Sequence, residues 1–355
     1  VTVAIAAAGT GGHVFPALAV AEALVERGIP RSSLLFLGGD RIEATAVPDA
    51  GFRFVGFELT KLRRQLTLEN LRIPAVVRRA GAAMGEEVLR TGSTVVLGMS
   101  GYVTVPAALA ARRTGLPFVV HEQNAQPTLA ARFGARRAVA TLLGLPGKSE
   151  GLPRSTVVGN PLRKALARFD RASLRGEARR RYGLPAQGAV LGILGGSLGA
   201  QVLNAASPSL ARVPGVSGML HLTGREGHGV PSAGGSSLPW IRVAFETEME
   251  YFYAAVDLVV CRAGAMTVSE LAATATPSVL VPLERVGQLG NARVLGDAGG
   301  ARLLRQRDIG RLPDFVGSLI SDERGLAALA KGARSAALPD AAGTVAERVL
   351  EVAGG

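Results

Sequence analysis

A chain of 355 residues is long enough for two domains with substantial cores. Hydrophobic residues make up 48% and aromatics only 5%, so those cores draw on Ala, Val and Leu, while 46 glycines suit many tight strand-to-helix turns. The net charge of +12 favours anionic partners, yet zinc-finger spacing and RNP-like aromatic patterning are missing and aromatics for base stacking are few, which argues against nucleic acid, and the single cysteine, Cys261, excludes an intramolecular disulfide and fits a reducing cytoplasm.

Residues 1–9 form a continuous apolar run ending in glycine, the pattern of a fully buried parallel strand, and 15–28 carries helical spacing that stops at Gly28. The alternation continues with a strand over 33–39, a strand over 93–101, a helix over 106–115 and a strand over 116–124. Residues 1–21 and 91–111 carry no formal charge, but glycines, a proline and polar residues interrupt both, so each reads as strand, turn and helix rather than as a membrane span. After a Gly/Pro-rich stretch at 142–153, the segment 157–163 reads as a crossing point and 171–184 as a charged helix. A second cycle follows: strand and glycine loop over 189–200, helix over 201–213, strands at 219–224, 241–246, 257–265 and 277–283, and a short helix over 267–275. This predicts an α/β protein of two Rossmann-like doubly wound domains, 1–160 and 161–340, with a final helix in 341–355 packing back on the first domain. Ligands of such sheets bind at the carboxyl ends of the strands, so the glycine turns should line one cleft.

Three glycine turns carry the chemistry. In GTGGHVFP (9–16) a strand-to-helix turn lets backbone N–H groups approach an anion. His13 at its mouth is either a helix-start residue with local hydrogen bonds or a general base. A dinucleotide fold with Asp40 as the ribose acid is the runner-up, but the spacing is long and the glycines do not form GxGxxG. In GGSLGAQVLN (195–204) Ser197 can offer a hydroxyl to phosphate. In CRAGAMTVSEL (261–271) Gly264 allows a tight turn, a helix starts near Thr267, Glu270 can accept from a ribose diol, and Arg262 either pairs with phosphate or makes a structural salt bridge. No DxD sequence is present, which argues against a metal-clamped diphosphate; the acidic run at 246–250 reads as a solvated helix start. His121, His221 and His228 lack any ligand spacing and read as structural or exposed, and Cys261 and Trp240 read as packing residues.

Taken in order, GTGGHVFPALAVAEAL, GMSGYVTVP (98–106), HEQN (121–124), VGNPLR (158–163), GGSLGAQVLN and CRAGAMTVSEL closely resemble the MurG family over nearly the whole chain. Members of that family transfer N-acetylglucosamine from UDP-N-acetylglucosamine to the lipid-linked peptidoglycan precursor. The resemblance implies a GT-B type fold with an interdomain cleft, and inverting transfer to the 4-hydroxyl of a muramyl sugar on a polyprenyl diphosphate, without metal or cofactor. By motif match it implies donor contacts at Thr10, Gly11, Gly12, Asn124, Arg163, Ser197, Phe245, Ala265, Met266, Thr267, Glu270, Gln288 and Asn291. Gly11, Gly12, Tyr102 and Glu122 fall on the acceptor-diphosphate side, and His13 falls in the catalytic position. It also implies a cytoplasmic enzyme, peripheral to the inner face of the membrane.

Two departures bear on the donor sugar. The loop after PLERVG (282–287) is shortened to QLGN (288–291), keeping Gln288 and Asn291 but lacking a partner glutamine, and Leu198 replaces a usual glutamine. A paralogue with another UDP-sugar or acceptor, or a nucleotide-binding protein without transferase activity, are the alternatives. Basic and apolar residues interleave over 60–81, which reads either as a helix with one solvated face or as a patch for anionic lipid.

Overall fold

The computed structural model describes residues 1–59, 73–225, 227 and 238–354; most of the basic stretch, 60–72, and His228 lie outside them. The chain divides into two compact units, Val1–Arg163 with Asp340–Gly355, and Lys164–Pro339.

The first unit contains seven parallel strands: β1 (Val3–Ala6), β2 (Leu34–Gly38), β3 (Arg53–Gly56), β4 (Val95–Met99), β5 (Phe118–Glu122), β6 (Ala140–Leu143) and β7 (Ser155–Val157). Their order is β3-β2-β1-β4-β5-β6-β7, so the chain reverses its direction of winding between β1 and β4. The helices are α1 (Gly11–Glu26), α2 (Glu43–Asp49), α3 (Ile73–Arg90), α4 (Thr104–Thr114) and α5 (Leu129–Ala135). Parallel neighbours need a crossover, and helices cover both faces of the sheet. The two-residue period of a strand sorts the side chains. Val3, Ile5, Leu34, Phe36, Val95 and Leu97 enter one core, with Val14, Val20 and Leu24 of α1. Ala4, Ala6, Leu35, Leu37 and Val96 enter the other, with Met84 and Val88 of α3 and Ala107 of α4.

The second unit opens with α6 (Lys164–Ala167) and α7 (Arg171–Arg181). Its strands are β8 (Ala189–Leu194), β9 (Val216–Leu222), β10 (Trp240–Val243), β11 (Leu258–Cys261), β12 (Ser278–Leu280) and β13 (Ala301–Leu303). They pair in parallel in the order β10-β9-β8-β11-β12-β13, again with a reversal at the centre. The helices between and after them are α8 (Gln201–Leu210), α9 (Met249–Ala255), α10 (Ala265–Ala273), α11 (Gln288–Asp297), α12 (Leu312–Ile320) and α13 (Glu323–Ser335). The charged helix read at 171–184 buries one of its arginines. Arg179 is 2% exposed, reaching the Ala255, Pro185, Ala186 and Gly188 carbonyls and Asp257.

The last helix, α14 (Ala341–Gly354), returns to the first unit. Val345, Ala346 and Val349 enter the core shared with α1, and Arg27 pairs with Glu347 at 2.7 Å.

Candidate functional site

Each sheet reverses at a point where two loops leave adjacent strands in opposite directions, the place where open α/β sheets hold ligands. In the first unit these are the loops after β1 and β4. Helix α1 starts at Gly11, four residues earlier than its apolar spacing suggests; the first N–H groups of a helix lack intrahelical partners anyway, so glycines are tolerated there. His13 is thus the third residue of the helix. Its N–H donates to the Thr10 carbonyl at 2.9 Å, and its Nδ1 lies 3.3 Å from Thr10 Oγ1. Thr10 makes no side-chain cap to the helix. The imidazole rests against Gly101, where a Cβ would lie 3.4 Å from its Cδ2 and Nε2. Ser100 (φ 56°) and Gly101 (φ 74°) are both left-handed, so the β4 loop turns sharply beneath the ring.

Glu122, matched to the acceptor diphosphate, has a different task. Its carboxylate is fully buried and accepts from the Asn124 N–H and side-chain amide, both at 2.9 Å, from the Thr128 N–H and hydroxyl, and from Ser100 Oγ at 3.4 Å. A carboxylate so enclosed cannot meet another anion; it fixes Asn124. Next to it, Gln123 donates to the Gly12 carbonyl at 2.8 Å, joining the HEQN turn to the start of α1.

Tyr102 is half-buried with its ring 3.3 Å from where a Gly9 Cβ would stand, and burial, then the nearby Glu43 carboxylate, pushes its phenol above the usual range. Glu43 is a residue the sequence reading missed. It is fully buried and accepts from the Gly9 N–H at 3.1 Å and the Gly39 N–H at 3.0 Å. The strand-end N–H of the first glycine turn is therefore spent inside the protein, and the N–H groups of Gly11 and Gly12, at the start of α1, are the ones an anion would meet. Arg163 stands 5.1 Å over the Phe15 ring of α1, so both Asn124 and Arg163 belong to the first unit.

In the second unit the corresponding loops follow β8 and β11. Gly196 and Gly199 are left-handed, and the Gly199 N–H closes a turn on the Gly196 carbonyl at 2.9 Å. A Cβ on Gly199 would lie 2.2 Å from the Thr223 carbonyl oxygen, so this turn sits backbone-to-backbone on the end of β9. The Ser197 carbonyl accepts from the Arg225 N–H at 3.1 Å, and the Arg225 guanidinium stacks 4.3 Å over Phe245. Ser197 and Phe245 are thereby brought together; Arg225, which joins them, carried no motif of its own.

Helix α10 starts at Ala265, so Ala265, Met266 and Thr267 form its first turn rather than a loop ahead of it. Gly264 is needed neither for its conformation (φ −64°, ψ 147°) nor for space, since a Cβ there would make only an ordinary contact with Thr267 Oγ1, at 3.5 Å. Neither α8 nor α10 has a side-chain cap, so two helix N-termini present bare N–H groups at this reversal. Glu270, in the next turn of α10, accepts from the Tyr253 hydroxyl at 2.8 Å.

Three expectations need correction here. Arg262 is buried and donates to the Val281 carbonyl (2.9 Å) and to Gln306 (2.7 Å); it pairs with neither a carboxylate nor an open surface. Asn291, on α11 after a short turn, Glu284–Val286, is 1% exposed and donates to the Ala263 carbonyl at 3.1 Å, enclosed rather than open to a sugar; half-buried Gln288, at the start of the same helix, accepts from the Leu283 N–H at 2.9 Å through its Oε1. In the acidic run, Glu246 is not solvated; it accepts from the Tyr182 hydroxyl at 2.6 Å. His121 and His221 are buried, with Nε2 at 3.0 Å from the Gly159 carbonyl and Asn204 Oδ1 respectively, and Cys261 is buried.

Residues 3–142 match the glycosyltransferase family 28 N-terminal domain and residues 190–345 the family 28 C-terminal domain. Two relatives carry the name UDP-N-acetylglucosamine–N-acetylmuramyl-(pentapeptide) pyrophosphoryl-undecaprenol N-acetylglucosamine transferase. The one from Acidothermus cellulolyticus is 38% identical, over 99% of this chain and 98% of its own. The one from Mycolicibacterium vanbaalenii is 40% identical, over 99% and 90%. The crystal structure of Acinetobacter baumannii MurG is similar with a TM-score of 0.73 and 27% identity, over 99% of both chains.

This chain belongs to the MurG family, within glycosyltransferase family 28.

In this MurG-family chain Leu198, read from the sequence as replacing a glutamine, is 60% exposed on the β8 loop, and Val286, in the turn read as shortened, is 46% exposed. Among the described residues, no three His, Cys, Asp or Glu side chains gather as a metal site requires, and no helix is long and apolar enough to cross a membrane.

Proposed function

We propose that this chain transfers N-acetylglucosamine from UDP-N-acetylglucosamine to the 4-hydroxyl of a muramyl sugar on a polyprenyl diphosphate, with inversion and without a metal ion. The observation that carries this is the placing of His13 and the bare start of α1 at the reversal of the first sheet, in a chain 38–40% identical to enzymes named for that transfer.

His13 takes the proton of the attacking hydroxyl, with Thr10 Oγ1 beside Nδ1 to orient the ring. The N–H groups of Gly11 and Gly12 receive the acceptor diphosphate, with Tyr102 alongside. In the second unit the N-termini of α8 and α10 receive the UDP diphosphate, each carrying roughly half a positive charge, and stabilise the negative charge of departing UDP. The Ser197 hydroxyl and the Arg225 guanidinium add to this, Phe245 lies on the base side, and Glu270 accepts from the ribose hydroxyls. Asn291 and Gln288 serve by holding the turns on either side, and Glu122 by holding Asn124. Exposed Arg78 and Arg79 on α3, with the net charge of +12, favour work at an anionic membrane surface, on its cytoplasmic face.

The test is a donor panel of UDP-N-acetylglucosamine, UDP-glucose and UDP-N-acetylgalactosamine with a short-chain lipid-linked muramyl acceptor, run with chelator. Transfer from UDP-N-acetylglucosamine that survives the chelator is the expected result. UDP binding without transfer from any donor would leave a nucleotide-binding protein. Preference for another sugar is the second reading, favoured by exposed Leu198 and the shortened turn, and would mark a paralogue.

A further inference from the structure

We infer that Tyr253 is a positioning residue for Glu270, the last member of a buried polar circuit that runs through Arg171. The inference rests on the reading of Glu270 as the ribose acceptor and says what makes that carboxylate fit for it.

Glutamate has three side-chain torsions, and a ligand that must freeze them gives up binding energy. Glu270 is held at its carboxylate and, separately, at its main chain. Its Oε2 accepts from the Tyr253 hydroxyl at 2.8 Å, and its carbonyl accepts from Thr274 Oγ1, also at 2.8 Å. Thr274 Oγ1 lies 2.8 Å from Thr276 Oγ1, which accepts from Arg171 Nη2 at 2.7 Å. Arg171 Nη1 in turn donates to the Tyr253 carbonyl, which closes the circuit. Tyr253 and Thr276 are fully buried and Thr274 is 1% exposed, so water competes with none of these three. Burial draws the Arg171 guanidinium down to about 10, which leaves it charged at neutral pH and the circuit complete. The circuit joins α7, α9 and α10, so the orientation of Glu270 is set by packing between elements rather than by its own helix.

Calorimetric affinities for UDP and for 2′,3′-dideoxy-UDP, on the wild type, Tyr253→Phe, Glu270→Ala and the double variant, test this. The wild type should prefer UDP. Tyr253→Phe should weaken UDP about three- to tenfold, the scale of one hydrogen bond, and leave dideoxy-UDP unchanged. With Glu270→Ala already present, it should change neither affinity. In the transfer assay the donor KM should rise with kcat kept. Phenylalanine retains the ring, and the melting temperature reports folding. Thr276→Val, which opens the circuit on its far side, should give the same selective pattern if Tyr253→Phe does not fold. Equal losses for both nucleotides, unchanged UDP affinity, or a further loss in the Glu270→Ala background would each overturn the inference. A wild type that binds the two nucleotides equally would overturn the ribose reading itself, and that outcome is visible without any variant.

Discussion

His13 has one ring nitrogen engaged by Thr10 and one face against a bare backbone, an arrangement that holds an imidazole still without burying it. If it is the base, His13→Ala should lower kcat on the order of 10²–10⁴-fold and leave UDP affinity unchanged, since the residues proposed to hold the nucleotide lie in the second unit. Steady-state rates with calorimetry check both halves, and a loss below about tenfold would remove His13 from that role. Single residues were legible where a motif fixes their backbone: Ser197 and Phe245 were named from sequence and do come together. Charged side chains were less so. Arg262 and Glu122 look like ligands for phosphate or acceptor in a string of letters, yet each is enclosed, because a buried charge is kept only with partners that sequence does not display. Glu43, whose partner Gly9 is 34 positions away, and Tyr253, 17 from Glu270, gave no local signal at all.

Elements were legible where apolar periodicity is strong. The central strands read correctly because they are buried on both faces, whereas β3, β7 and β13, each partly exposed, passed unnoticed, as did the buried β6. Helix starts were misplaced at α1 and α10, in both cases because glycine beside the first turn looks like loop until the strand before it fixes where the chain must turn. The β8 loop allows a sharper test of what its glycines do. Gly196 (φ 88°) has nothing within 4 Å of a built Cβ, while Gly199 (φ 86°) has the Thr223 oxygen at 2.2 Å. Gly196→Ala should cost only left-handed strain, about 1–2 kcal/mol. Gly199→Ala adds a collision with main chain and should cost about 2–4 kcal/mol. Urea midpoints decide, and equal costs would show that the loop moves off the end of β9 freely.

For the molecule as a whole, acid is the informative stress. Burial holds His121 and His221 below the ordinary value of 6.5, His221 at about 4. Their folded-state values are depressed, so the unfolded chain takes up protons first on acidification. The stability associated with the neutral rings is complete above pH 6.5 and is lost as the pH falls, for His221 across the window from 6.5 to about 4. Each such group contributes a slope of up to ~1.4 kcal/mol per pH unit. Unfolding free energies between pH 7 and 4.5 should therefore fall less steeply for His221→Gln than for the wild type; parallel curves would show that this ring takes no part. The return of α14 to the first unit bears on how the molecule is made. During synthesis, residues 1–163 emerge first, but their core still lacks Val345, Ala346 and Val349. The unit spanning 164–339 is one uninterrupted stretch and has all its parts sooner, so the half of the protein that leaves the ribosome first is the half that waits longest to close.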